Sequence, residues 1–215
     1  MNLIISLDSA VFLFFNAYLI HPVLDFVTVR ITELSFWLIP GIIAAVLFVK
    51  REKKKAVIVL GLLLVTIAIS DPVSSQILKK IFARPRPCHP DFFVEGGRFL
   101  LGLKSSKSFP SSHSMNMFAM AMLFYRFYPP RAFLFFGFAS VIAYTRVYTG
   151  VHFPLDVLGG ALLGCMIGDF VYESYDIVCK KLAAASQESA AAREAVQFVN
   201  ELEPVMEQPE LTRTQ

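Results

Sequence analysis

Between Ala56 and Leu78 the chain carries a single charged side chain, Asp71, in a run long enough to cross a bilayer. Similar runs follow each other along most of the 215 residues. Leu34 to Val49 stops at the basic cluster Lys50 to Lys55, with Trp37 near one end as an interfacial anchor. Ser114 to Tyr128, Ala132 to Tyr144 and Phe153 to Tyr172 complete the set, and Ala132 to Tyr144 is short enough that it must borrow flanking residues. Hydrophobic residues make up 55% of the chain, which points to the membrane class rather than to a soluble domain. The expected fold is therefore all-α, a multi-pass transmembrane helical bundle of five to six spans. The sixth span depends on Leu3 to Ile20, an apolar stretch broken by Asp8 and Asn16. His21 to Leu34 repeats that broken pattern, so both are read as short helices lying partly in the interface or tucked against the bundle. The N-terminus lacks the basic region of a signal peptide, so the first helix is expected to be retained.

Composition then narrows the function. A formal net charge of +3 gives no argument for nucleic acid. The three cysteines, Cys88, Cys165 and Cys179, match neither a zinc site nor a disulfide framework. Three regions are expected: N-terminal helices over 1–33, a core over 34–181 and a polar tail over 182–215. Within the tail, Ser186 to Leu202 is expected to form an amphipathic helix with Val196, Val199 and Leu202 on one face, and the rest to be disordered. Gly160, Gly164 and Gly168 recur every fourth residue, a spacing that lets another helix approach closely and is read as packing. Asp71 and Asp169 lie inside apolar runs and are read as paired or near a helix end rather than catalytic.

Alternating helices place two polar loops on one side, 79–112 and 146–152. The clusters Lys50 to Lys55, Arg126 to Arg131 and Lys180-Lys181 fall on the other, which the positive-inside tendency makes cytoplasmic. The outer loops are basic too, and there the excess has a chemical use. Lys79, Arg86 and Arg146 supply three cations, and phosphoryl transfer is catalysed mainly by positioning and by charge. Ser111 and Ser112 precede an apolar helix, whose free N–H groups make an anion site. His152 and Asp156 are four apart and share one face of a helix start, so the carboxylate can hold Nδ1 and leave Nε2 free to attack phosphorus. Pro154 suits an early helical position. His113 is placed to protonate the leaving oxygen. Each element alone has a plainer reading: an anchor at the headgroups, a stiff Arg-Pro-Arg-Pro loop over 84–87, a helix cap at Ser111. Their order and common side favour the chemical one.

These segments resemble the signature of the type 2 phosphatidic acid phosphatase family, which includes vanadium haloperoxidases. The family pattern is Lys-x6-Arg-Pro, then Pro-Ser-Gly-His, then Ser-Arg-x5-His-x3-Asp. Lys79 with Arg86-Pro87, Pro110-Ser111-Ser112-His113, and Arg146 with His152 and Asp156 match it in spacing. Ser112 stands where the pattern has Gly, and Thr145 where it has Ser. The resemblance implies phosphate binding by Lys79, Arg86, Ser111, Ser112 and Arg146, acid catalysis by His113, and a nucleophile and its orienter in His152 and Asp156. It implies a helical bundle without a metal or cofactor requirement. Spans around such a site imply an amphiphilic substrate and partners drawn from membrane lipids; a homo-oligomer is compatible with this layout. Bacterial members of this size act on undecaprenyl diphosphate, phosphatidylglycerol phosphate, phosphatidic acid or lipid A phosphates, with the first two preferred here. The expected location is a bacterial plasma membrane, with the site outside and the tail in the cytoplasm. Rival readings are phosphotransfer to an acceptor other than water and a silent lipid-binding scaffold. A pore is disfavoured because the ionisable residues gather at one edge.

Overall fold

A proline and two carboxylates start the helix against which much of this chain is organised. The computed structural model describes residues 3–206, all of whose regular elements are helical. Helix α1 (Leu3–Leu13) continues as a π-helical turn over Phe14–Tyr18 and precedes α2 (Pro22–Ile31) at a bend of 112°. His21 caps α2, its ring accepting from the Val23 N–H, and Pro22 opens the helix. Helix α3 (Leu34–Glu52) and α4 (Lys54–Pro72) meet at Lys53, whose φ of 50° breaks the helical path. From α4 the chain passes through a π-helical stretch, Val73–Leu78, into the single turn α5 (Lys79–Phe82). A long loop leads to α6 (Ser112–Phe127), and a short 3₁₀ turn, Pro129–Arg131, links it to α7 (Ala132–Tyr148). Helix α8 is assigned over Pro154–Met206.

The apolar runs read from the sequence fall on α3, the α4–α5 run, α6, α7 and the first part of α8. Helix α7 extends four residues beyond Tyr144, as so short a run required. By length and composition, two described helical stretches can cross a membrane, Lys54–Phe82 and Pro154–Phe198. A third is added if Leu3–Tyr18 and Pro22–Ile31 form one broken span. Apolar side chains cover the outside: Ile39, Ile42, Leu64, Phe133, Leu162 and Met166 are all exposed.

The chain divides into two units, Met1–Tyr172 and Glu173–Gln215. In the second, the chain is helical as far as Met206, which includes residues 182–185 and 203–206 that were expected to be disordered. That composition is rich in Ala, Glu and Gln, all good helix formers. Within this unit Lys180 pairs with Asp176 at 2.6 Å, and Val196 is exposed. The remaining expectation of disorder, over 207–215, lies outside the described residues.

In the first unit the glycine stripe is a seam. A Cβ on Gly164 would lie 2.2 Å from the Met115 carbonyl oxygen, and one on Gly168 equally close to that of Ala119. Helix α8 therefore approaches α6 backbone to backbone. Beside this seam Val59, Leu63, Leu123 and Val171 form a small buried apolar cluster. The two acids in apolar runs are both bonded to neighbours: Asp169 to Arg126 at 2.6 Å, and Asp71 to the Asn116 amide at 3.3 Å.

Candidate active site

Helix α8 needs partners for the N–H groups of its first turn. Asp156 reaches back so that its Oδ2 accepts from the Phe153 N–H at 2.8 Å, the arrangement of a capping acid three residues into a helix. The Leu155 N–H is answered from far along the chain, by Oδ1 of Asp8 at 3.0 Å. Both carboxylates are buried, and both hold the same cation. Arg84 donates from Nη1 to Asp156 Oδ1 at 2.9 Å and from Nη2 to Asp8 Oδ2 at 2.6 Å. Its guanidinium carbon lies 4.2 Å from the centre of the Phe153 ring.

His152 precedes this turn and is 1% exposed. Its Nδ1 lies 3.5 Å from Asp156 Oδ2 and makes no hydrogen bond among the described residues; that oxygen accepts from the Phe153 N–H and the other from Arg84. Its Nε2 lies 3.1 Å from Arg86 Nη1. A guanidinium nitrogen can only donate, so Nε2 must be the lone-pair nitrogen and Nδ1 carries the proton of a neutral ring. Burial, and then the charges of Arg86, Arg146 and Lys79, hold His152 well below the ordinary histidine range. Arg86 is fixed by its remaining bonds: Nε donates to Ser106 and Nη1 to the Val151 carbonyl at 2.9 Å.

The second motif faces this pair. Ser111 is fully buried and caps α6, its hydroxyl accepting from the Ser114 N–H, while its own N–H donates to the Asp156 carbonyl at 3.0 Å. Ser112 accepts from Lys79 Nζ at 2.8 Å and also bonds Ser74 at 2.8 Å. His113 is exposed on the first turn of α6. Arg146 is 6% exposed; Nη1 bonds the Thr32 hydroxyl, and Nε has no hydrogen-bond partner among the described residues. The Arg146 carbonyl accepts from the N–H groups of Val151 and His152, which folds the third motif into a tight loop. Gly150 closes it with a φ of 82°, and the Arg98 carbonyl oxygen lies 2.1 Å from where a Cβ would be.

Of the eight residues singled out in the sequence, Arg86 meets His152, His152 faces Asp156, Ser111 bonds the Asp156 carbonyl and Lys79 bonds Ser112, while His113 and Arg146 join this group through the charges of Arg146, Lys79 and Arg86 that act on both histidines. The arrangement can bind a phosphate among three cations and present a neutral imidazole to it. Among the described residues, no group of three or more His, Cys, Asp or Glu is placed to hold a metal ion. Sequence reasoning missed Asp8, Arg84, Asn16 and Thr32. Asp8 was an acid in an apolar helix, a signal in itself. Arg84 was hidden in a motif already explained as a stiff loop. Asn16 donates to the carbonyls of Arg98 and Tyr148 and accepts from the Arg98 N–H, pinning the long loop beside α7.

Comparisons with known proteins give the family. A family model described as the PAP2 superfamily matches residues 55–177. A lipid A 4'-phosphatase from Porphyromonas gingivalis is 31% identical over 81% of this chain and 75% of its own length. Among solved structures, LpxE from Aquifex aeolicus superimposes with a TM-score of 0.62 at 29% identity, over 78% of this chain and 95% of that one. A transmembrane PAP2-type phosphatidylglycerolphosphate phosphatase from Bacillus subtilis gives 0.56 at 27% identity, over 83% of this chain and 89% of that one.

Proposed function

Because the chain belongs to the PAP2 superfamily, we propose that it is a membrane lipid phosphatase working through a phosphohistidine on His152. The observation that carries this is the nitrogen pair of His152: Nε2 held as a lone-pair nitrogen beside Arg86, with the Nδ1 proton facing Asp156. In the first step Nε2 forms a bond to phosphorus as the bond to the lipid oxygen breaks. The leaving oxygen takes its proton from His113, and Asp156 steadies the charge that appears on the imidazole. In the second step a water attacks phosphorus and gives its proton to His113; the N–P bond breaks and inorganic phosphate leaves. Arg86, Arg146 and Lys79 neutralise the oxygens in both steps, with Ser111 and Ser112 at the start of α6 beside them. The 3.5 Å gap between His152 and Asp156 closes as the imidazolium forms, since resting catalytic bonds are often long.

The substrate is amphiphilic, its phosphate in this cluster and its chains against the exposed apolar faces. Of the headgroups anticipated from the sequence, the extended similarity to a lipid A 4'-phosphatase moves a lipid A phosphate ahead of undecaprenyl diphosphate and phosphatidylglycerol phosphate. Helices α3, α6 and α7 cross the bilayer together with the two stretches that meet the length criterion. In support, α3 and α7 present Leu38, Ile43, Phe138 and Val141 outward. The basic clusters support a site on the non-cytoplasmic side.

The test is phosphate release by the purified protein in detergent with EDTA, beside His152→Ala, over lipid A, undecaprenyl diphosphate, phosphatidylglycerol phosphate and phosphatidic acid. Release by the parent and not by the variant is expected, fastest from lipid A. Equal release by both removes His152 as nucleophile.

A further inference from the structure

Asp8 interrupts an otherwise apolar helix, 148 positions before the catalytic carboxylate, yet its side chain has no exposed surface. A buried charge needs partners, and Asp8 has two that both lead to Asp156. One is Arg84, whose guanidinium it shares with Asp156. The other is the N–H of Leu155, the residue before Asp156. We infer that Asp8 is a positioning residue for the reaction, acting on His152 through Arg84 and Asp156.

The argument is one of charge and of geometry, and it rests on the phosphohistidine reading above. Asp156 paired with Arg84 alone would be a neutral unit with little left for an imidazolium. Two carboxylates on one guanidinium carry a net charge of −1, and the oxygen facing His152 Nδ1 is the one Arg84 does not bond. Asp8 thus divides the cation's attraction, and Asp156 keeps negative charge directed at the ring. Its bond to the Leu155 N–H also fixes the helical turn from which Asp156 projects, while Phe153 under the guanidinium sets the height of Arg84. Asp8 touches none of the phosphate-binding side chains in the contacts the structure shows, so its effect belongs in turnover rather than in binding.

The test is a cycle of Asp8→Asn, Asp156→Asn and the double variant, assayed on lipid A in detergent beside His152→Ala. Asp8→Asn is expected to lower kcat by about tenfold to a hundredfold, the range seen when a residue orienting a reactive ligand is removed. KM is expected to move less than about twofold, since uniform binding is untouched. In the Asp156→Asn background the Asp8 substitution is expected to do nothing further, because its route of action is gone. Losses that multiply in the double variant, or an unchanged kcat in Asp8→Asn, overturn the inference while leaving His152 in place. Parental release by His152→Ala overturns both. Should Asp8→Asn not be recovered folded, Asp8→Asn with Arg84→Gln removes the cation together with the carboxylate that shares it, and Asp156 keeps its charge and its bond from the Phe153 N–H. Its kcat is expected to stay above that of Asp156→Asn, and a fall to that level also overturns the inference.

Discussion

The loop end of the first unit and its apolar midsection are both buried, yet they are built on opposite principles. In the midsection Val59, Leu63, Leu123 and Val171 meet one another. Lipid tails are as apolar as leucine, so this burial adds little by transfer, and dispersion and close backbone approach must hold the helices together. At the loop end Asp8, Asn16, Arg86, Ser108, Arg146, His152 and Asp156 are buried together. There the cost of leaving any one unpaired is large, so each group fixes its neighbours. The midsection is therefore expected to tolerate exchange of like for like, and the loop end almost none.

Removing charge without volume should expose that difference most sharply. Asp156→Asn keeps the shape but removes the charge facing His152 and disturbs the pair with Arg84. Turnover is expected to fall by about a thousandfold to ten-thousandfold, the scale seen when the acid of a catalytic triad is neutralised. Leu123→Ala deletes far more volume, and its expected cost is a lowered thermal midpoint in detergent with kcat within about twofold of the parent. Equal losses of kcat in the two variants would dissolve the distinction.

Two glycines test the midsection itself. At Gly164 a methyl group would meet the Met115 carbonyl oxygen at 2.2 Å; at Gly61 nothing lies within 4 Å. Gly164→Ala must push α8 and α6 apart, at an expected cost of about 1–3 kcal/mol. Gly61→Ala is expected to be neutral or slightly stabilising through helix propensity. Differential scanning fluorimetry in one detergent compares them directly, and a similar midpoint for both would show that the seam is not what holds these helices.

Legibility in the sequence divides along the same line. Helix positions could be read from apolar runs, because a run long enough to span leaves few alternatives. The motif residues could be read because their spacing survives in one dimension. The glycine seam was legible as packing through its period of four, but its partner, α6, was not. Asp8 and Asn16 were seen only as interruptions, because their meaning lies in residues 76 to 147 positions away, such as Arg84, Arg98 and Leu155. The loop 79–112 gave no periodicity to read, and only folding shows that Ser106 and Ser108 brace Arg86 and the Arg84 and Pro85 carbonyls. Of the two placements read for the N-terminal helices, tucking against the bundle is the one that lets Asp8 reach Arg84 and the Leu155 N–H, and neither reading named that side chain.

Ser112 departs from the family pattern, and the structure gives the departure a consequence. Its hydroxyl accepts from Lys79 and bonds Ser74, tying α4's extension to the start of α6. Ser112→Gly restores the family residue but removes one hydrogen bond to a cation, worth about 1.5 kcal/mol or a little more. The expected result is a rise in KM of about tenfold with kcat nearly unchanged, since Lys79 loses its orientation before substrate arrives. An unchanged KM would mean that Lys79 is held by the phosphate alone.

The smallest expected effect is on pH dependence, and it follows from the burial of His152. Burial comes first among the causes that keep its ring neutral, and the charges of Arg86, Arg146 and Lys79 act in the same direction. An unfolded histidine takes its proton near pH 6.5, whereas the folded ring takes it only well below that. Below pH 6.5 the unfolded chain therefore binds more protons, and stability falls as the pH drops through this window. The free enzyme meanwhile keeps its nucleophile unprotonated, and kcat/KM reports the free enzyme. The acid limb due to His152 is thus expected below the ordinary histidine range, while the thermal midpoint already declines within it. Profiles with two substrates of different phosphate acidity separate the limb that follows the substrate from the one that stays. A stationary limb near pH 6.5 would mean that the ring is not held neutral, and that the buried loop end treats charge no differently from an exposed surface.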